Sequence, residues 1–233
     1  MTHIKDAVAR KGNHMMNTGK LTLATIVFAS ITLMITACSE FPDQFSENTH
    51  FTYYPNVLAD QLALQPELAS ANVLEFFTYG CQHCQAFAPK LSQWHEKHQN
   101  QRVVYVPVIW DELTEMHARL FYLIQSEENF KGIHHELFAI VGGFSRTDSI
   151  EDQKVQLVVF LQQKGIQPKD VVEALNTSKF DPKTASSLML AKRFEISGTP
   201  TVVVDKQYKI LNNALKDHDS LFSVMDELLA KKY

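Results

Sequence analysis

A short apolar segment that runs directly into a pair of cysteines limits the folds open to this chain more than any other feature. Residues 72–78 (Asn-Val-Leu-Glu-Phe-Phe-Thr) are mostly apolar and are followed by Gly80, which predicts a buried strand. From Cys81 onward, apolar residues recur three or four positions apart, which predicts a helix. Cys81 and Cys84 would then lie one turn apart on one face of the first turn of this helix.

The position of the two cysteines predicts different roles for them. At a helix N-terminus, unpaired N–H groups and the helix dipole favour an anion, so Cys81 is expected to be the thiolate. Cys84 is expected to be the resolving thiol beneath it. His83 offers a donor and a potential positive charge beside the Cys81 sulfur, which would lower the pKa of Cys81 further. A structural disulfide is not expected, because closing so small a loop restricts the unfolded chain little.

Two histidines downstream raise the alternative of a zinc site. With the cysteines, His95 and His98 give a Cys-x2-Cys-x10-His-x2-His pattern, in which both histidine spacings are shorter than in zinc fingers. In a continuous helix, Cys84 and His95 would lie roughly 16 Å apart, too far to share one ion. We therefore expect no metal at the pair and interpret both histidines as solvated helix-face residues.

The amino-terminal segment has the composition of an export signal. Residues 21–37 carry no charge, and Lys20 and other basic residues precede them. The segment is short for a membrane-spanning helix, which needs about 20 residues. It ends in Ile35-Thr-Ala-Cys38, which resembles the lipobox of bacterial lipoproteins and implies cleavage before Cys38 and lipid on that residue. An uncleaved signal anchor is the alternative, and both interpretations place the rest of the chain outside the cytoplasm.

The export segment divides the chain and changes its charge. We expect a signal peptide over residues 1–37 and a polar, lipidated tether over residues 38–50. The whole chain has a formal net charge of −4, and the signal segment contains more basic than acidic residues. The remainder is therefore more acidic, which argues against binding nucleic acid or anionic lipid through charge. Lipid on Cys38 would have to hold the domain at a membrane.

Beyond the cysteine pair, the pattern predicts one α/β domain with a helical excursion. A second strand is expected over residues 102–109, where Pro107 indicates a sheet edge or a strand end. Ser149-Ile-Glu-Asp152 resembles a capping box at a helix start. Two hairpin strands are expected over residues 201–205 and 208–211. The expected helices cover residues 112–125, 130–141, 149–164, 170–175, 182–194 and 219–231.

Two segments together resemble the DsbA family of thioredoxin-fold proteins, the exported oxidases that put disulfides into other proteins. They are Val73-Leu-Glu-Phe-Phe-Thr-Tyr-Gly-Cys-Gln-His-Cys84 and Gly198-Thr-Pro-Thr201, and the likeness extends over residues 51–233. It implies an α/β, thioredoxin-like fold over residues 51–110 and 186–233, with an inserted all-helical domain over residues 111–185. In plain thioredoxins the proline loop follows the cysteine motif far more closely than it does here.

The resemblance also implies a substrate-binding role for the later motif. Pro200 would follow a cis peptide bond, which would expose the backbone of Thr199 for pairing with an extended substrate. Gln82, between the cysteines, would also contact substrate. The best-known family member has valine before the cis-proline, and Thr199 is similar to the residue found there in some isomerases and reductases.

Glu75, within the first strand, matches the buried acid of the family. Its implied role is proton exchange with Cys84, because a buried carboxylate is costly unless it has a partner or a function. A strand residue that points to solvent is the alternative interpretation of the same pattern. The best-known family member carries a lysine on the second strand near this acid, and the nearest equivalent here is Tyr105.

The function implied by the resemblance is that of a periplasmic, lipid-anchored thiol–disulfide oxidoreductase. It would donate the Cys81–Cys84 disulfide through a mixed-disulfide intermediate and would need no cofactor besides that disulfide. The implied partners are unfolded exported proteins with free thiols and a DsbB-like, quinone-linked membrane oxidase, and the chain is expected to be a monomer. The alternatives are a disulfide isomerase or reductase and, from a different class, a copper chaperone that uses the two thiols.

Overall fold

The computed structural model describes residues 44–55, 66–145 and 147–231. The predicted signal peptide, Cys38 and the first part of the predicted tether lie outside these residues. Within the described part of the chain, no helix is both long and apolar enough to cross a bilayer.

A mixed five-stranded sheet lies at the centre of the described residues. Its strands are β1 (Phe51–Tyr53), β2 (Val73–Phe77), β3 (Val103–Pro107), β4 (Thr201–Val204) and β5 (Tyr208–Ile210). They lie in the order β1-β5-β4-β2-β3, with β2 parallel to β3 and the other neighbours antiparallel. β2 is buried at all five positions, because side chains pack on both faces of the sheet there. β3 is an edge strand and ends at Pro107, as the proline predicted.

The described residues contain eight α-helices. The predicted helices and strands all occur, with ends shifted by at most two residues, and Ser149 and Asp152 form the predicted capping box. The helices are α1 (Pro66–Ala69), α2 (Gln82–Lys97), α3 (Glu112–Ile124), α4 (Phe130–Gly142), α5 (Ile150–Gln163), α6 (Pro168–Asn176), α7 (Asp181–Arg193) and α8 (His218–Ala230).

The sequence patterns did not predict β1 and α1. These elements have three and four residues, too few for a strand or helix period to show. β1 is instead defined by antiparallel pairing with β5, in which Phe51 lies opposite Ile210. A partner more than 150 positions away in the sequence leaves no local signal.

Helix α7 packs both against the helical insertion and against the sheet. The domain boundary expected between residues 185 and 186 falls inside this helix. Near the middle of α7, Ser187 is hydrogen-bonded to Tyr122 of α3. Its last turn buries Leu190 beside Phe76 and Phe194 on one face of the sheet. The helix therefore joins the two parts instead of ending at the boundary between them.

Aromatic rings of the helical insertion pack against the end of β2. The ring of Phe77 lies 5.2 Å from that of Phe121 and 5.7 Å from that of Phe138, between centroids. Tyr79, two residues further on, lies 5.0 Å from Phe138. This packing holds the turn that leads into the cysteines between the sheet and the insertion.

Residues 44–50 of the predicted tether pack against α8. The N–H groups of Gln44 and Phe45 donate to the Glu227 carboxylate at 3.0 and 3.3 Å, and Phe45 is buried in the core. The opposite end of α8 lies near α2, where the His218 ring is 5.1 Å from that of Phe87. The two ends of α8 therefore contact different parts of the domain.

Candidate active site

Cys81 is the N-cap residue of α2 and the more exposed of the two cysteines. Its sulfur accepts a hydrogen bond from the Cys84 N–H at 3.3 Å, and its thiol donates to the Thr199 carbonyl at 3.2 Å. Cys84 is fully buried, and both cysteines are free thiols in this structure. Only Cys81 is therefore open to attack by a large partner.

The surroundings of the pair separate the two thiols in acidity. A hydrogen bond with the Cys84 side chain, and weaker ones from Thr199 and from backbone N–H groups, lower the pKa of Cys81 to about 5 despite its partial burial. Burial, together with the same hydrogen bond to Cys81, raises the pKa of Cys84 well above its usual value. Near neutral pH, Cys81 is thus a thiolate and Cys84 a thiol, the order that the helix geometry predicted.

His83 and Gln82 are exposed residues in the first turn of α2. The backbone N–H of His83 is among the groups that lower the pKa of Cys81. The imidazole ring, for which the sequence predicted the same effect, borders a depression that Pro200 and His218 also line. The N-cap geometry directs backbone N–H groups of the first turn at the Cys81 sulfur.

The loop that carries Thr199 and Pro200 faces the cysteine pair across the active site. The Thr199–Pro200 peptide bond is cis, as the resemblance predicted. The Thr199 carbonyl accepts a hydrogen bond from the Cys81 thiol, and the Pro200 carbonyl accepts one from the Asn212 amide. A depression of about 380 Å³ lies beside this loop, lined by residues 195–201 and 209–213. Cys81 and Thr199 are 118 positions apart in the sequence, and this hydrogen bond brings them into contact in the fold.

Glu75 lies in the centre of β2 and is completely buried. Neither of its carboxylate oxygens has a hydrogen-bond partner. Burial, and to a smaller extent the Cys81 thiolate, raises the pKa of Glu75 from 4.5 to about 8. Of the two interpretations of Glu75, the buried acid is the one that the structure shows. Its environment keeps the carboxyl mostly protonated at neutral pH.

Two tyrosines interact with Glu75, and one of them contacts a buried histidine. Tyr105 lies opposite it in the register of β2 and β3, and the Glu75 charge, after burial, raises the pKa of both Tyr79 and Tyr105. The Tyr79 hydroxyl lies 2.9 Å from Nδ1 of His134, a buried ring whose pKa burial lowers to about 3. Tyr79 and His134 were missed in the sequence, since a tyrosine before a glycine and a histidine on an apolar helix face usually serve the core.

His95 and His98 lie near the C-terminal end of α2, away from the cysteines. Nε2 of His95 is 2.9 Å from the Gln101 carbonyl, and Nδ1 of His98 is 2.8 Å from the Trp94 carbonyl. The ring of His98 also stacks on Trp94, with centroids 4.4 Å apart. Both histidines are half-buried, so the expectation that they are simply solvated was wrong. They satisfy carbonyl groups at the helix end.

Comparisons with known proteins agree with this geometry. The family model described as thioredoxin matches residues 65–223. A thiol:disulfide interchange protein DsbA from Burkholderia cepacia is 31% identical over 155 residues, covering 62% of this chain and 69% of the relative. One of the same name from Pseudomonas syringae pv. tomato is 28% identical over 167 residues, covering 69% and 74%.

Solved structures show the same architecture. The crystal structure of Pseudomonas aeruginosa DsbA superposes with a TM-score of 0.67 at 21% identity, covering 82% of this chain and 95% of that one. Reduced DsbA1 from Neisseria meningitidis gives 0.64 at 24% identity, covering 82% and 96%. The predicted α/β, thioredoxin-like fold with a helical insertion is thereby confirmed. By its matched family model and its curated relatives, the chain belongs to the DsbA family of thioredoxin-fold proteins.

Proposed function

We propose that this chain, a thiol–disulfide oxidoreductase of the periplasm, works as an oxidase that donates the Cys81–Cys84 disulfide to other proteins. The curated relatives are thiol:disulfide interchange proteins, and the cysteine pair has the geometry which that chemistry needs. The observation that carries the oxidising direction is the position of Cys81 at the N-cap of α2, where its sulfur accepts a hydrogen bond from the Cys84 N–H, beside a fully buried Cys84. This arrangement lowers the pKa of Cys81 and raises that of Cys84.

The reaction follows from the different exposure of the two sulfurs. A substrate thiolate attacks Cys81 Sγ of the oxidised enzyme, a bond forms between the two sulfurs, and the Cys81–Cys84 bond breaks. The electron pair goes to Cys84 Sγ, which takes up a proton because burial disfavours its thiolate. A second substrate thiolate then attacks the substrate sulfur of the mixed disulfide. Cys81 leaves as a stable thiolate, the substrate is oxidised and the enzyme is reduced.

The low pKa of Cys81 favours this direction for two reasons. A thiolate that is stable at neutral pH is a good leaving group, so the mixed disulfide is released quickly. The same stabilisation exists only in the reduced form, which makes the enzyme's disulfide the stronger oxidant. A hydrogen bond with the Cys84 side chain, and weaker ones from Thr199 and from backbone N–H groups at the start of α2, supply this stabilisation.

The depression beside Thr199 and Pro200 is the proposed substrate site. Extended polypeptides can pair with an exposed backbone segment next to a reactive residue, and Gln82 lies exposed between the two cysteines. The proposed substrates are unfolded exported proteins with free thiols. A DsbB-like, quinone-linked membrane oxidase would restore the disulfide, and the proposed chemistry uses no cofactor besides that disulfide.

The redox state of the pair in cells tests the proposed direction. We expect Cys81 and Cys84 to be oxidised at steady state, because the partner of an oxidase reforms its disulfide after each reaction. Rapid acid quenching, alkylation of free thiols and mass measurement of the protein report this state. A pair that is mostly reduced would contradict the oxidase and support a reductase or isomerase.

We further propose that lipid on Cys38 anchors the protein, as a monomer, to a bacterial membrane. The support is Ile35-Thr-Ala-Cys38 at the end of the uncharged segment, and Cys38 itself lies outside the described residues. Several acyl chains on one residue would anchor firmly, since each buried methylene contributes about 0.8 kcal/mol.

Replacing Cys38 with serine should release the protein from membranes. We expect Cys38→Ser protein to lose incorporation of radiolabelled lipid and to move from the detergent phase to the aqueous phase. Ser39→Ala serves as the matched control, because it changes the neighbouring residue and leaves the proposed lipid site in place. Unchanged partitioning and labelling of Cys38→Ser would overturn the lipoprotein assignment.

A further inference from the structure

Two carbonyl groups of the loop that precedes β4 accept hydrogen bonds from side chains close to the active site. The Thr201 hydroxyl donates to the Gly198 carbonyl at 2.8 Å, a bond within the loop itself. The Cys81 thiol donates to the Thr199 carbonyl at 3.2 Å. In the Cys81–Cys84 disulfide, neither sulfur carries a proton to donate, so the bond to Thr199 is lost. Oxidation therefore makes the Thr199 carbonyl available as an acceptor for a substrate.

A third carbonyl of this loop, that of Pro200, accepts a hydrogen bond from the side-chain amide of Asn212. The register of β4 and β5 explains this contact. Val203 lies opposite Lys209, and the same antiparallel register, continued past both strands, places Pro200 opposite Asn212. The chain has left β5 by then, because Asn212–Ala214 form a 3-10 turn. The Asn212 side chain therefore supplies a donor at a position from which the backbone has already turned away.

The hydrogen bond between Asn212 and Pro200 does not involve a cysteine, so oxidation leaves it in place. Among the side-chain hydrogen bonds to the three loop carbonyls in the described residues, it then alone ties the loop to another part of the fold. Asn212 also borders both depressions beside Pro200, the one lined by residues 195–201 and the one lined by His83 and His218. It therefore lies where an extended chain that crosses the loop would pass.

We propose that Asn212 is the positioning residue that holds the Thr199–Pro200 segment in place when the oxidised protein binds a polypeptide. The proposal rests on the proposed function, in which an extended substrate pairs with the backbone of Thr199. Proline fixes its own φ angle, so holding the peptide group after Pro200 also limits the orientation of the group before it, which carries the Thr199 carbonyl. A carbonyl that is already oriented lowers the entropy cost of binding.

Single-turnover transfer of the disulfide to a peptide tests this role. Oxidised protein is mixed with an excess of a short, reduced synthetic peptide that contains two cysteines, quenched in acid, alkylated and analysed by mass at several peptide concentrations. We expect Asn212→Ala to raise the half-saturating peptide concentration about fivefold, as the loss of one hydrogen bond would. The maximal rate constant should change less than about twofold, because the lost interaction serves binding.

Dithiothreitol separates an effect on binding from an effect on the cysteines. This small dithiol has no polypeptide backbone to pair with the loop, so its rate of oxidation measures the reaction of the cysteine pair alone. The loss of Asn212→Ala with peptide at low concentration should exceed any change with dithiothreitol about fivefold. Equal losses with both reductants would place the effect at the cysteines and overturn the proposal.

Asn212→Asp separates hydrogen bonding from shape. Aspartate is nearly isosteric with asparagine, but its carboxylate has no N–H to donate and would place a negative charge beside the Pro200 carbonyl. We expect its half-saturating peptide concentration to rise at least as far as that of Asn212→Ala. Asn100→Asp, at an exposed position after α2, controls for the added charge. Wild-type binding by Asn212→Asp would overturn the proposal, since a side chain that only fills space tolerates this change.

Asn72→Ala is the matched control for a general loss of stability. Oδ1 of Asn72 accepts a hydrogen bond from the Arg102 N–H at 3.0 Å, before the start of β2 and so at the end away from the cysteines. This variant also loses one hydrogen bond between a side chain and the backbone. Equal half-saturating concentrations for Asn72→Ala and Asn212→Ala would overturn the role of Asn212. Failure of the wild type to transfer its disulfide to any peptide would instead overturn the proposed function.

Discussion

Protein that carries Cys84→Ser should accumulate mixed disulfides with its substrates, and protein that carries Cys81→Ser should accumulate almost none. Cys81 is half-exposed at the N-terminus of α2, whereas Cys84 is fully buried. A substrate can therefore reach Cys81 alone. Without Cys84, the covalent complex loses the nearby thiol that would release it toward the reduced substrate, and release depends on the second substrate thiol.

The trapped species can be counted directly. Cells that express each variant are quenched in acid, and complexes are separated without reductant and again after its addition. A Cys81→Ser, Cys84→Ser double variant controls for non-covalent association. Disulfide transfer by Cys81→Ser should be abolished, because this variant has no Cys81–Cys84 disulfide to donate. Equal trapping by the two single variants would contradict the assignment of Cys81 as the attacked sulfur.

Replacing Glu75 with glutamine should change how the stability of the reduced protein depends on pH. The folded state holds the Glu75 proton up to a pKa of about 8, whereas the ordinary value is 4.5. Between these two values the folded state binds more protons than the unfolded state, so this carboxyl lowers stability as the pH rises. The loss is about 1.4 kcal/mol per pH unit, on the order of 4 kcal/mol by pH 8.

Cys81 works in the opposite direction over much of the same range. Its pKa is lowered from 9.0 to about 5, so the unfolded state binds the extra proton and stability rises with pH. Wild-type protein should thus show a shallow dependence, in which the two contributions offset each other. Glu75→Gln leaves the rising contribution, and Cys81→Ser leaves the falling one. The lowered pKa values of His117 and His134 affect both proteins alike and only below their ordinary pKa of 6.5.

Denaturant unfolding of the reduced proteins from pH 5 to pH 8 measures this difference. Glutamine is still buried without a partner, which costs stability equally at every pH. The informative quantity is therefore the slope of the free energy of unfolding against pH. The free energy of unfolding of Glu75→Gln should rise steadily relative to that of the wild type as the pH rises. Glu128→Gln, at an exposed position, should give a constant difference. A constant difference for Glu75→Gln as well would contradict the raised pKa of Glu75. In oxidised protein the gain should be smaller, because the Cys81 thiolate is absent.

The elements with a local signal could be predicted from the sequence. The run from Val73 to Cys84 predicted the strand, the turn and the helix start, and turn residues and capping patterns placed the other helices to within two residues. The resemblance added the cis bond before Pro200. These features depend on neighbours in the sequence or on a motif, so a single chain is enough to find them.

The parts that could not be predicted depend on contacts between distant segments. β1 exists because Phe51 pairs with Ile210, and the solvent-facing alternative for Glu75 was excluded only by the helices that cover β2. His134, on α4, contacts the hydroxyl of Tyr79, which lies 55 positions earlier in the sequence. The contribution of the His83 backbone N–H to the pKa of Cys81 could not be predicted, because sequence shows which side chain is present but not which backbone N–H points at a sulfur.

The contact between Glu227 and the N–H groups of Gln44 and Phe45 has a mechanical consequence. A pull on the chain ahead of Gln44 acts on the domain at the end of α8 that carries Glu227. His218, at the end of α8 that borders the active site, lies nine residues earlier, about 14 Å away at the helical rise. The load therefore enters the fold through these two hydrogen bonds and the buried Phe45 ring, at the end of α8 that lies away from the active site.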